Sequence, residues 1–236
     1  MTLCADRFPQ AGIGEILQGR RALILSPHPD DESLGCGGFI AASCAAGLAP
    51  VVAFLTDGAA SHPGSASHPP RQLAGLRRAE ARAALRILGV PAEHIMFMDF
   101  ADAAMPDSGA DFEAAAAMLV RIARALDCGL VLGPWVGDPH CDHVAGAKLG
   151  ARVAALSGLA NYNYVVWGWL HPGETTADCG VRLDVAAWQS RKQAAIRAHR
   201  SQHGEIVQDS PNGFAIPPAL MAAAAARHEV FLRAAP

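Results

Sequence analysis

Ser26-Pro-His-Pro-Asp-Asp-Glu-Ser-Leu-Gly-Cys-Gly-Gly38 follows an apolar run of strand length, Arg21-Ala-Leu-Ile-Leu-Ser26, and precedes an alanine-rich helical segment. That order places it at a strand-to-helix turn. Pro27 and Pro29 stiffen the turn and bias the residues before them away from helical angles. Within five positions stand one imidazole and three carboxylates, His28, Asp30, Asp31 and Glu32. Crowded carboxylates raise one another's pKa unless a cation is present. A divalent metal would relieve the repulsion. His28 and Asp31 offer the nitrogen and oxygen donors of open catalytic zinc sites, and Asp30 is placed to face a water on the metal. The same residues also suit a plain helix start, with Asp31 or Ser33 as N-cap and Glu32 favoured by the helix dipole.

A chain of 236 residues is long enough for one large α/β domain. Its net charge of -3 and lack of a basic cluster weigh against nucleic acid as a partner. The six cysteines form no CxxC pair and read as reduced thiols of a cytoplasmic protein. No apolar run approaches membrane-spanning length, and Asp6, Arg7, Glu15 and Arg20 interrupt any signal-peptide core.

Residues 1–20 read as an amphipathic lead-in, with Ile13, Ile16 and Leu17 at helical spacing. A helix is expected over Leu34–Ala46, ended by Gly47. The wholly apolar Val51–Thr56 suits a parallel strand covered on both faces. A loop bearing His62 and His68 follows, then a helix over Arg71–Leu88, a strand over Ile95–Phe100, a helix over Phe112–Leu126 and a strand at Leu130–Leu132. Further on, Asn163–Leu170 and Val181–Val185 read as strands and Trp188–His199 as a helix. Residues 211–218 form an irregular stretch able to fold over the site, and Pro218–Arg233 reads as a terminal alanine-rich helix.

The second informative stretch is Gly133-Pro-Trp-Val-Gly-Asp-Pro-His-Cys-Asp-His-Val144, again between a strand and a helix. His140 and His143 share a helical face and offer a third ligand. The two turns meet if their strands are neighbours, as ligand sites do at the carboxyl ends of α/β sheets. Asp142 reads as a cap for the helix, and a solvated first turn would account for both histidines.

His28-Pro-Asp-Asp-Glu32, Thr56-Asp-Gly58, Arg77-Arg-Ala-Glu80 leading to Leu88-Gly-Val90, His140-Cys-Asp-His143, and Lys192 to Gln202 ending in His-Arg-Ser-Gln together resemble the PIG-L/LmbE family of metal-dependent N-deacetylases. The resemblance spans about residues 21–203. It implies a Rossmann-like, three-layer α/β/α fold with a mostly parallel sheet and the site at the carboxyl ends of its strands. It also implies a single domain over 1–236, with 204–236 an irregular stretch plus a helix. Carried over residue by residue, His28, Asp31 and His143 match the ligands of zinc or another divalent transition metal such as Fe2+. Asp30 matches the general base, and His140 the histidine that assists the tetrahedral intermediate. Arg77 and Asp102 match substrate contacts, although Arg77 with Glu80 also suits a surface pair.

Two positions depart from the family pattern. Cys141 stands where members often have proline, and Phe100-Ala-Asp-Ala103 lacks the usual glycine of that loop. A thiolate ligand would close and soften the site, so Cys141 is expected to point away from the metal. The implied activity is removal of an N-acetyl group from an N-acetylglucosamine-type sugar or related small conjugate, releasing acetate and a free amine. A non-catalytic nucleotide- or sugar-binding module and another metallohydrolase, such as a phosphoesterase, are the competing readings. Specificity is expected from the loops at 57–72, 99–109, 171–179 and 203–217.

Overall fold

β1 (Arg21–Ser26) is buried along all but its first residue, and its side chains divide between two cores. Leu23 and Leu25 enter one core and Ala22 and Ile24 the other, the period-two alternation of a strand covered on both faces. β2 (Val51–Thr56) divides likewise, Val51, Ala53 and Leu55 against Val52 and Phe54. The computed structural model describes residues 5–170 and 179–234. Its other strands are β3 (Ile95–Phe100), β4 (Cys128–Pro134), β5 (Ala160–Tyr164), β6 (Gly180–Asp184) and β7 (His228–Arg233). Together they form a seven-stranded sheet of order β3-β2-β1-β4-β5-β7-β6. The first five strands in that order pair in parallel, and β7 lies antiparallel between β5 and β6.

α1 (Ile13–Leu17), α2 (Asp31–Ala45), α3 (Pro70–Leu88), α6 (Gln189–Ala198) and α7 (Pro218–Ala224) pack into the core on one face. α4 (Gly109–Ala125) and α5 (Cys141–Ser157) pack on the other. The result is the expected three-layer α/β arrangement. The chain winds from β1 outward to β2 and β3, then crosses back to place β4 on the other side of β1. This reversal opens a crevice beyond the carboxyl ends of β1 and β4, where the two histidine-bearing turns begin.

α2 is held close to the sheet. A Cβ on Gly35 would overlap the ring of Tyr164, whose hydroxyl donates to Leu25 O at 2.8 Å. The helix is broken at Cys36 (φ -143°, ψ 24°), and Glu229 on β7 accepts from the Gly38 and Phe39 amides at 2.7 and 2.8 Å. Lys192 Nζ, 2.8 Å from Glu229 Oε1, offsets that buried charge. Glu229 and Lys192 thus bind β7, α2 and α6 together.

The expected terminal helix over Pro218–Arg233 stops at Ala224, and the chain ends its described part in β7. Val230, Phe231 and Leu232 are all buried, consecutive apolar residues that an internal strand can use on both faces. The expected strand over Asn163–Leu170 also shortens: β5 ends at Tyr164, and Trp167–Trp169 form a 3-10 helix. Val166 and Gly168 donate their amides to the Asp138 carboxylate, which draws the backbone out of the sheet. Residues 171–178, within a loop expected to set specificity, lie outside the described part. Among the described residues no helix is long and apolar enough to cross a membrane.

Candidate active site

The β1 turn places the Asp31 carboxylate at the centre of the cluster. Asp31 Oδ2 accepts from the His28 amide at 2.9 Å and lies 3.1 Å from both His28 Nδ1 and His143 Nε2. One donor atom from each of His28, Asp31 and His143 lies within 4.8 Å of the other two, and all three residues are buried. Despite that 3.1 Å approach, His143 Nε2 makes no aligned hydrogen bond among the described residues. A buried imidazole nitrogen that faces a carboxylate without an aligned hydrogen bond suits a cation-binding position.

The outer nitrogens are held by carboxylates. His143 Nδ1 is 2.9 Å from Asp138 Oδ2, and Asp138 also accepts the Val166 and Gly168 amides at 3.2 and 2.7 Å. Because Asp138 acts as an acceptor, the His143 proton belongs on Nδ1 and the lone pair on Nε2. His28 Nε2 lies 3.1 Å from Asp142 Oδ2 and 3.2 Å from Asp102 Oδ1, which turns its Nδ1 lone pair toward Asp31.

Burial by itself would lower both histidines. Asp102, Asp142 and Asp31 nevertheless hold His28 well above its ordinary value, and Asp31 and Asp138 bring His143 up to about 9. For Asp31, burial raises the pKa, but His143 and His28 outweigh it and leave the carboxyl well below the usual range. The cluster therefore favours positive charge, which a divalent cation can supply. The buried His/Asp donors and the carboxylate-backed imidazoles fit a transition metal with an open side.

Asp30 stands next to the cluster and outside the three-residue donor set. Its φ of 143° is rare for a residue with a side chain, and its amide donates to Glu32 Oε2 at 3.0 Å. Burial pushes its carboxyl up to about 6, with Arg77 opposing. Arg77 is buried, donating from Nη2 to Pro29 O at 2.8 Å and Asp30 Oδ2 at 3.3 Å, and from Nη1 to Gly58 O at 2.8 Å. It forms no surface pair with Glu80, which instead accepts from the Ser201 amide and hydroxyl at 2.8 and 2.6 Å.

His140 is the N-cap of α5, and its Nδ1 accepts from the Asp142 amide at 3.2 Å, leaving Nε2 to carry the proton. Burial and the neighbouring His28 and His143 lower its pKa, favouring a neutral imidazole that donates from Nε2. Asp142 was expected as that cap. Its side chain instead turns inward, accepting from the Ala103 and Met105 amides at 2.8 and 3.1 Å and backing His28. Asp102 accepts from the Ala60 amide at 2.9 Å, and although burial opposes it, His28 helps bring its carboxyl down to about 2.

His28, Asp102, His140 and Asp142 also lie within 4.8 Å of one another. Their contacts are those of a support, since Asp142 and Asp102 already accept backbone amides and share His28 Nε2. Asp138 and the supporting role of Asp142 escape sequence reasoning. The one available signal is Asp138 in a Gly-Asp-Pro turn directly ahead of His140. Because outer carboxylates set ligand orientation, Asp138→Asn should lower metal affinity by about 10- to 100-fold. Competition with a chromophoric chelator reads this directly, and an unchanged affinity would remove Asp138 from the role.

Cys141 is exposed, with Sγ 3.7 Å from Ala103 O and from Asp142 Oδ1, and belongs to neither donor set. Cys141→Ala should keep its metal and most of its activity. Loss of stoichiometric zinc in that variant would make the thiol a ligand after all.

His28, Asp30, Asp31 and His140 open into a cavity of about 340 Å³ whose wall also carries Arg77 and Asp102. A larger cavity of about 490 Å³ lies beyond Pro29, near Arg71, Arg78 and Phe97, and has no imidazole among its described lining residues. The smaller one is therefore the candidate site.

Residues 23–154 match the PIG-L family, described as GlcNAc-PI de-N-acetylase, and the chain belongs to that family. It is 30% identical over 201 residues to diacetylchitobiose deacetylase of Thermococcus kodakarensis, covering 80% of this chain and 72% of that one. Its structure is similar to N,N′-diacetylchitobiose deacetylase from Pyrococcus horikoshii, with a TM-score of 0.64 at 24% identity over 80% of this chain and 76% of that one. It is also similar to GalB, the 4-carboxy-2-hydroxymuconate hydratase of Pseudomonas putida KT2440, with a TM-score of 0.67 at 19% identity over 92% and 97%. At these identities the two structures speak for the fold alone, and a hydratase on the same fold shows that fold does not fix the reaction.

Proposed function

We propose that this protein is a metal-dependent hydrolase that removes the acetyl group from the nitrogen of an amino sugar or related small conjugate, releasing acetate and a free amine. The observation that carries the reading is the convergence of His28, Asp31 and His143 Nε2 next to a cavity that His28, Asp30 and Asp31 line. Zinc is the ion best suited to two imidazoles and a carboxylate with an open side. Held by these residues, it would polarise the acetyl carbonyl and supply a nucleophilic water near neutral pH.

The remaining work falls to the chain. Asp30, lining the cavity and held by Arg77, takes the proton of the attacking water as general base. His140 Nε2–H donates to the oxygen that gains negative charge as the carbonyl carbon becomes tetrahedral. Collapse requires a proton on the departing nitrogen, and Asp30, then protonated, returns it. Arg77 is a positioning residue in this scheme, and Asp102 supports His28 as well as lining the cavity. The free cysteines among the described residues support a reducing compartment, and we assign the protein to the cytoplasm.

The experiment is acetate and amine release by zinc-loaded protein from a panel of N-acetyl sugars, set beside phosphate esters. Release from the N-acetyl compounds is the expected result. Turnover confined to phosphate esters, or a protein that binds sugars without cleaving them, would overturn the reading.

A further inference from the structure

We propose that the cavity carries, beside the metal-ligand cluster, a subsite for an uncharged pyranose ring faced by Trp167 and Phe214. This rests on the deacetylase reading and narrows its substrate to neutral N-acetylated glycosides. Trp167 and Phe214 stand edge to face, with ring centres 5.8 Å apart and planes at 71°, and both line the cavity that holds His28, Asp30 and His140.

Both rings are fixed from behind. Asp138, which holds His143 Nδ1, accepts the backbone amides on either side of Trp167. One carboxylate thus ties the backbone around Trp167 to the His143 imidazole. Phe214 lies on a strap tied to the facing loop: its amide donates to Ser61 O at 2.8 Å, and the Ile216 amide to Gln202 O at 2.8 Å. Asp209 accepts from the Ser65 and Ser67 hydroxyls at 2.6 and 2.8 Å and from the Ala66 and Ser67 amides at 2.9 and 2.8 Å. A Cβ on Gly213 would come within 2.6 Å of His62 Cδ2, so the strap sits directly on that loop. The irregular stretch at 211–218 thus contributes Asn212 and Phe214 to the cavity wall.

The chemistry of the wall selects its occupant. A pyranose has an apolar C–H face and a rim of hydroxyls. An aromatic surface receives the first, and Ser61, Asn212 and Gln202 on the same wall can serve the second. Gln202 is wholly buried, and its Oε1 has no hydrogen-bond partner among the described residues. Phosphate recognition calls instead for free guanidinium or ammonium groups. Among the described residues Arg77 is the one Lys or Arg of the lining, and its Nη donors are already taken by Gly58 O, Pro29 O and Asp30. Asp30, Asp31 and Asp102 line the same space. Residues 171–178, His-Pro-Gly-Glu-Thr-Thr-Ala-Asp, contain no lysine or arginine. Away from the metal position, a phosphorylated or nucleotide-linked sugar would meet carboxylates with no free lysine or arginine among the described lining residues to offset them.

The test uses zinc-loaded wild type, Trp167→Ala, Phe214→Ala and Trp167→Phe with N,N′-diacetylchitobiose, N-acetylglucosamine 1-phosphate and the acyclic N-acetylethanolamine. Wild type should prefer the disaccharide to the phosphate. In each alanine variant the ratio of kcat/KM for the disaccharide to that for the acyclic compound should fall about tenfold, mainly through KM, with partial recovery in Trp167→Phe. Preference for the phosphorylated sugar, or a ratio unmoved in both alanine variants, overturns the proposal. Calorimetric binding of the disaccharide keeps the two readings apart. If wild type releases acetate from none of the three compounds, the deacetylase reading fails, and the subsite stands or falls by whether the alanine variants weaken that binding.

Discussion

Asp30→Asn is expected to retain its zinc and to lose about 10²- to 10⁴-fold in kcat, the usual range for removing a general base. Asn keeps the size of the side chain and an oxygen for Arg77 Nη2, which lies 3.3 Å from the carboxylate in the native chain. What it loses is the capacity to take a proton from water and return it to nitrogen. The atoms able to hold the cation belong to other residues, His28, Asp31 and His143. Metal content and turnover should therefore separate in this variant. Wild-type turnover by Asp30→Asn would end the assignment, and equal loss of metal and rate would move Asp30 into the ligand set.

Asp31→Asn should behave in the opposite way. One oxygen of Asp31 faces both imidazoles at 3.1 Å and accepts the His28 amide at 2.9 Å, so it is the shared member of the cluster. Without its charge, His28 and His143 keep only their outer carboxylates. Zinc affinity should fall by more than the about 10- to 100-fold that such outer partners command, and excess zinc should restore part of the rate. Isothermal titration with zinc, alongside activity at rising zinc concentration, distinguishes this from damage to the fold. A variant that binds zinc as tightly as the native chain would show that the ligands lie elsewhere.

The contrast between these adjacent residues follows from local backbone geometry. Asp31 is the first residue of α2, whereas Asp30 is the residue just before it, at φ 143°. That turn sends two neighbouring carboxylates to different partners, Asp30 to Arg77 and Asp31 to the two imidazoles.

The two turns bearing the chemistry are legible in the sequence because each follows an apolar strand and carries histidine with aspartate in a short span. Their meeting depends on β1 and β4 being neighbours, which the order β3-β2-β1-β4-β5-β7-β6 supplies and no local pattern could. Asp142 misleads because an aspartate at a helix start caps it as readily as it holds an imidazole. Only the Ala103 and Met105 amides from another loop decide between them. Arg77 hides likewise: helical spacing offers Glu80, while the structure buries the two on separate partners. β7 is obscured by the alanine run that precedes it, whose helical propensity extends past the point where Ala225 and Ala226 leave the helix. The 3-10 turn at Trp167 is beyond local reading, since Tyr164, Val165, Val166 and Trp167 all favour strands. The Asp138 carboxylate, far away in sequence, overrides that preference.

Anomalous diffraction from a crystal of the zinc-loaded protein will show whether a catalytic cation sits between the carboxyl ends of β1 and β4. The expected result is a zinc peak about 2.0 to 2.2 Å from His28 Nδ1, an Asp31 oxygen and His143 Nε2, with its open side toward the cavity and Asp30 unligated. A zinc peak bound elsewhere, with these three side chains left free in protein whose amide hydrolysis depends on zinc, would contradict it.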